Sequence, residues 1–161
     1  MVVIRIFLFS LSLLLLTHSL SMGDSLPQSI GSLRLEQLQS GEEARQEIDR
    51  LHGKQLNFGK GYIGIYKDKE GNRKGRLWVS EYDSEMEAAE AIGKMARRVQ
   101  AKEGGEFWHF RVISIEGTQV YFVVGMGRTH YFFQKGKKVI WLAADPSEAR
   151  QAIRDLIGKI P

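Results

Sequence analysis

The chain has 161 residues, a formal charge of +4 and no cysteine, with a pI near 9.4. That length allows a single domain with a core of its own. The missing thiols exclude disulfides, thiol redox chemistry, cysteine nucleophiles and thiolate-based zinc sites.

Met1 to Arg5 carries one positive charge, Ile6 to Leu16 is apolar apart from Ser10 and Ser12, and Thr17-His18-Ser19-Leu20-Ser21 follows. A charged start, a short apolar middle and small residues at the exit make the pattern of a secretory signal peptide, with cleavage expected after Ser21. The alternative is an uncleaved anchor running from Val2 to Leu20, but its apolar core is about half of the roughly 20 residues a spanning helix needs. The expectation is export to a periplasmic or extracellular setting, with membrane contact only through this segment if it stays attached.

Residues 22–39 are expected to form a loosely ordered lead-in, because Ser, Gly and Pro are frequent up to Ser32. Leu33, Leu35 and Leu38 fit either a strand or a turn of helix. A single domain is expected over 40–161. Ser40 with Glu43 has capping-box spacing, and Ala44, Ile48 and Leu51 share a helical face that stops at Gly53. Tyr62 to Tyr66 and Leu77 to Val79 suit strands around the turn Lys69-Glu70-Gly71-Asn72. Ser84 with Glu87 caps a second helix, whose apolar stripe is Ala88, Ile92, Met95 and Val99, stopped by Gly104-Gly105.

From Phe107 onward the β signal is strongest. Phe107–Ile115 and Thr118–Val124 flank Glu116-Gly117, and Thr129–Gln134 and Val139–Ala143 flank a Lys-Gly-Lys-Lys turn. Asp145-Pro146-Ser147-Glu148 then starts a last helix with a cap, a proline and an acid in order. Its buried face is Ala149, Ile153, Leu156, Ile157 and Ile160. Trp78-Val79 leading to Ser84-Glu85 is echoed by Trp141-Leu142 leading to Ser147-Glu148. The fold class is α+β: an antiparallel sheet of about six strands in hairpins, with two or three helices packed on one face. If the strands of Trp78 and Phe107 lie parallel, the link between them is a crossover.

Motifs with chemistry are few. Lys67, Lys69, Arg73, Lys74 and Arg76 gather at one turn and Lys135, Lys137 and Lys138 at another, reading as solvated hairpin tips rather than a nucleic-acid patch. Lys60 to Tyr66 has the wrong aromatic spacing for an RNA-recognition strand. Gly125-Met126-Gly127 precedes a strand, so no helix N-terminus stands behind it to hold phosphate. Ser80, Ser114 and Thr129, with Asp83 and Asp145, are nucleophile and orienting types, but the nucleophile elbow and the His-Glu-x-x-His pair are both missing. His52, His109 and His130 share no close metal-ligand spacing, so no metal site, cofactor or catalytic set is assigned. His109 and His130 lie on different strands and could meet only across the sheet.

Nine aromatics between Phe107 and Trp141 crowd into neighbouring strands. With helices on one face, the other face would either present rings to a ligand, a partner or a second copy, or lie under a loop or the first helix. The ligand-binding candidates are His109, Arg111, Arg128, His130 and Tyr131. A homodimer through exposed strand aromatics is the oligomer this predicts, and no nucleic acid is expected as a partner.

The stretches Gly41 to Lys54, Trp78-Val79-Ser80 with the following helix, and Tyr121 through Gly125-Met126-Gly127 to Trp141 resemble an uncharacterised family of exported bacterial proteins. The resemblance implies a periplasmic or cell-surface setting and transfers no active-site residues. The reading is an exported, non-enzymatic binding or accessory protein of the bacterial cell envelope, its partner a small ligand or an envelope protein. The alternatives are a hydrolase with His109 or His130 as base, and a haem or metal carrier.

Overall fold

The computed structural model describes residues 26–160; the leader expected over 1–21 lies outside the described residues. The elements in chain order are β1 (Ser29–Ile30), β2 (Leu33–Ser40), α1 (Gly41–His52), β3 (Lys60–Lys67), β4 (Lys74–Glu81), α2 (Glu85–Ala101), β5 (Trp108–Ile115), β6 (Thr118–Gly125), β7 (Arg128–Lys135), β8 (Lys138–Ala144) and α3 (Pro146–Lys159). The fold is α+β. All eight strands join one antiparallel sheet in the order β1-β2-β3-β4-β8-β7-β6-β5.

The sheet therefore has eight strands where about six are read from sequence. The two added strands come from residues 29–40. Leu26, Ile30 and Leu33 are buried there, so from Leu26 onward the expected loose lead-in belongs to the core. Polar contacts fasten it. The Tyr66 hydroxyl donates to the Pro27 carbonyl at 2.8 Å, and the Gly31 amide donates to Asp155 at 2.8 Å. Glu148 accepts from the Ser32 hydroxyl and, at 2.7 Å, from Arg73.

Three two-residue loops build the β5–β8 meander. Glu116 and Gly117 both have positive φ, as do Met126 and Gly127, and Gly136 opens the third loop at φ 55°. Positive φ at both central residues is the backbone of the hairpin turn whose twist matches that of paired strands. These turns need no distant partner, which is why they are legible in sequence. The cross-link between the two halves is different in kind: β4 pairs with β8, setting Trp78 opposite Trp141. Successive antiparallel pairings then make β5 run parallel to β4, with β8, β7 and β6 between them.

Cross-strand partners share a sheet face, which sorts the core into two layers. Leu77, Val79, Ile140, Leu142, Tyr131 and Phe133 pack with Ala149, Ala152, Ile153, Leu156 and Ile157 of α3. On the alternate positions, Phe132, Val123 and Val139 pack with Ala88, Ile92, Ala96 and Val99 of α2. Ile63 packs with Ala44 and Ile48 of α1, and Trp78 lies beside them. Because Ile63 pairs with Trp78 and Trp78 with Trp141, α1 and α2 share one face. α3 occupies the other. The single helix-covered face expected from sequence is thus replaced by two, and each fully buried aliphatic or ring in either layer contributes roughly 1.5–3 kcal/mol.

Helix starts show how tertiary contacts override local grammar. Ser84 caps α2 as expected, accepting from the Glu87 amide at 3.2 Å. Ser40 makes no side-chain cap to α1. Asp145 makes none to α3 either; its carboxylate accepts the Lys74 amide of β4 at 2.7 Å. Leu51, expected on the buried stripe of α1, is 57% exposed.

Candidate functional site

β5 and β6 lie at the margin of the layer that α3 covers and leave a groove of about 500 Å³ on that side. Its floor is Ile113 and Ile115 of β5, Phe122 and Val124 of β6, and Tyr131 of β7. α3 forms one wall with Arg150, Ile153 and Arg154, while His109 and Arg111 line the strand side. The pairing register explains the grouping: Arg111 pairs with Phe122, Phe122 with Tyr131 and Tyr131 with Leu142. All four therefore point to the α3 face.

His109 reaches this groove through a bulge. Trp108 pairs with Val124 and Arg111 with Phe122, so two residues of β5 stand against one of β6. His109 is the displaced one, at φ 61°. A bulge of this kind re-aims a side chain at a sheet edge. The Phe110 amide is held by a Glu103 carboxylate oxygen at 3.2 Å.

Electrostatically the groove is one-sided. Arg111, Arg150 and Arg154 line it and no carboxylate does. None of the three has an ion-pair partner among the described residues. Burial raises the Tyr131 hydroxyl pKa against the opposing charge of Arg150, keeping Tyr131 protonated near neutrality. Other basic groups singled out in the sequence are already engaged. Lys67 pairs with Glu36 at 2.5 Å, Arg73 with Glu148 at 2.7 Å and Arg76 with Glu47 at 3.2 Å. The Lys135 ammonium caps the end of α3 through the Ile157 and Ile160 carbonyls at 2.8 and 2.6 Å.

The five candidate residues divide between the two faces. His109, Arg111 and Tyr131 line the groove. Arg128 and His130 alternate with Tyr131 along β7 and belong to the α2 face, where His130 pairs with Val123 and Ala143. His130 and His109 thus do not meet. The buried His130 ring sits between Phe107 and Trp141, with centroids 5.3 and 5.8 Å away. The Trp141 indole N–H donates to its Nδ1 at 3.1 Å, and its Nε2 lies 3.0 Å from the Gly125 carbonyl. An indole nitrogen only donates, so Nδ1 is the acceptor and Nε2 carries the proton. Burial lowers the pKa, reinforced by Arg128 and resisted by the Gly125 contact. The ring is neutral with both nitrogens occupied, which leaves no lone pair for a base or a metal.

The expected exposed aromatic face is covered as well. Tyr121 stacks on Phe132 at 5.0 Å and Phe132 on Trp141 at 4.5 Å, in the layer beneath α2. Of the crowded rings, only Trp108 is largely exposed. Phe122, Arg150 and Arg154 escaped the sequence reading. Arg150 and Arg154 are one helical turn apart on either side of Ile153, a signal that basic groups flank a buried stripe, but nothing local says which strands lie beneath. A second concavity at the start of α1 is polar, and its Arg45 guanidinium is engaged with the Phe58 carbonyl and ring. Among the described residues, no helix is long and apolar enough to cross a membrane. No family model, curated protein or solved structure matches the chain.

Proposed function

We propose that this protein is a non-enzymatic binding domain exported to the cell envelope, and that it works through the groove between α3 and β5–β7. The ligand class that fits is an anionic group carried on an apolar body. The observation that carries this reading is the set of three guanidiniums, without an ion-pair partner among the described residues, that line a groove with an apolar floor. Such arginines beside half-buried Phe122 and Ile113 offer charge-assisted hydrogen bonds to a carboxylate or phosphate and dispersion contacts to whatever bears it. The buried, doubly bonded His130 supports binding over a histidine-based hydrolase or a haem carrier. Export rests on the pattern of residues 1–21.

Calorimetric titration with dodecanoate and with dodecyltrimethylammonium, each below its micelle concentration, tests the reading. Dodecanoate is expected to bind and the cation not to, since the two share a chain and differ in charge. Joint replacement of Arg111 and Arg154 by Ala should weaken dodecanoate about tenfold or more, as charge-assisted bonds contribute about 1.5–3 kcal/mol each. Equal binding of both amphiphiles, or of neither, refutes the proposal.

A further inference from the structure

Among the described residues β5 is the last strand of the sheet, and its outer edge has no strand partner. The segment before it shields one end: Glu103 bridges to Phe107, the Gly104 amide donates to the Phe107 carbonyl at 3.0 Å, and Glu103 holds the Phe110 amide. Beyond the bulge, Arg111–Ile115 continues as a regular strand. Sheet edges are ordinarily blunted by shortness, charge or proline. At the opposite edge β1 covers only Leu33 and Arg34, and the rest of β2 carries mainly polar side chains, Glu36, Gln37, Gln39 and Ser40. Past its bulge β5 keeps five regular residues with no proline, Arg111–Ile115, and it carries exposed apolar side chains beside outer backbone groups that no strand pairs among the described residues. Val112 is 54% exposed on the α2 face, Trp108 is 53% exposed, and Ile113 and Ile115 are half-buried in the groove.

We infer that the open β5 edge and the basic groove beside it form one recognition surface, which takes an extended peptide segment of a partner protein with alternating acidic and apolar side chains. This deepens the groove reading and rests on it. A strand added at Arg111–Ile115 satisfies the outer backbone groups. Its alternate side chains then fall on the two faces. Those on the α3 face come alongside Arg111, at the margin of the groove that Arg150 and Arg154 also line, where carboxylates are favoured. Those on the other face lie against Val112, where aliphatic residues are favoured. Charge decides against a second copy as the occupant. Two antiparallel β5 edges related by a two-fold axis keep equivalent faces on the same side of the joined sheet. That would gather both sets of Arg111, Arg150 and Arg154 around one seam with no acid among the groove-lining residues.

The test uses the purified protein and two blocked octapeptides, (Val-Glu)4 and (Val-Lys)4, labelled for fluorescence anisotropy. The acidic peptide is expected to bind at least tenfold more tightly than the basic one. Joint replacement of Arg111 and Arg154 by Ala should remove that preference. Two further acidic peptides carry N-methyl groups on the Val positions or on the Glu positions. Edge pairing requires that one set abolishes binding and the other leaves it within about threefold, because only alternate amides face the sheet. Equal binding by both methylated peptides overturns strand addition. So does a sedimentation profile showing a stable dimer that the acidic peptide does not dissociate, which would assign the edge to a second copy. Binding of dodecanoate without binding of (Val-Glu)4 overturns this inference and leaves the groove reading standing; failure of both ligands removes both.

Discussion

Replacing His130 by Ala tests whether this residue is part of the framework or part of a site. Its ring holds two hydrogen bonds, to the Trp141 indole and the Gly125 carbonyl, and touches Phe107 edge-on. Each neutral hydrogen bond contributes about 1 kcal/mol net, and a buried group left without its partner costs about 1–3 kcal/mol. With some rehydration of the space left behind, the loss should be about 2–4 kcal/mol, or a fall in Tm of about 3 °C or more for each kcal/mol. Urea unfolding followed by tryptophan fluorescence measures it. A double-mutant cycle with Trp141→Phe isolates the shared bond, and a coupling of about 1 kcal/mol is expected. The pH dependence has a defined sign. Folding holds His130 below its ordinary pKa of 6.5, so the unfolded chain binds more protons. The stability contributed by the neutral ring is complete above pH 6.5 and declines as the pH falls from there through the folded pKa. Dodecanoate binding should be unchanged in folded His130→Ala protein, because the groove lies on the other face. A variant as stable as the parent to within about 0.5 kcal/mol would refute the framework role.

Gly125→Ala should be strongly destabilising, by about 2 kcal/mol or more, since a Cβ there would stand 2.3 Å from the Glu106 carbonyl oxygen and 2.8 Å from the Phe107 ring; an unchanged urea midpoint would contradict this. Glu148 is held below the usual carboxylate range by the Ser32 hydroxyl, against the opposing effect of burial, with help from Arg73. Its charge therefore stabilises the fold above about pH 4.5, and that contribution disappears as the pH falls through the folded pKa. Unfolding curves of parent and Glu148→Gln protein should differ at pH 7 and converge toward pH 3, and a constant gap would disprove the linkage. Fractionation of expressing cells, with mass spectrometry, should find a chain beginning near Met22 outside the cytoplasm; full-length protein confined to the cytosol would end the export reading.

The echo between Trp78–Glu85 and Trp141–Glu148 shows where local reading stops. Both stretches are strands feeding helices, and in the sheet they lie side by side with Trp78 opposite Trp141. Yet α2 and α3 leave toward opposite faces. Nothing in either junction encodes that choice: Ser84 caps its own helix, while Asp145 reaches across to the Lys74 amide. The same limit governs the site. Arg111 and Tyr131 lie together because Phe122 pairs with both, and His130, one residue from Tyr131, is sent to the other layer by the pleat.

Read alone, the sequence determined what short-range forces control: the α+β class, the Ser84-capped helix α2, the apolar stripes of α2 and α3, and the tight hairpins at Glu116-Gly117 and Gly136-Lys137. It also excluded thiol chemistry. The pairing of β4 with β8, the recruitment of residues 29–40 as two further strands, the two helix-covered faces and the arginine-lined groove were decided only in three dimensions. Those features depend on which distant strands become neighbours, and side-chain alternation then converts that one choice into the composition of every surface.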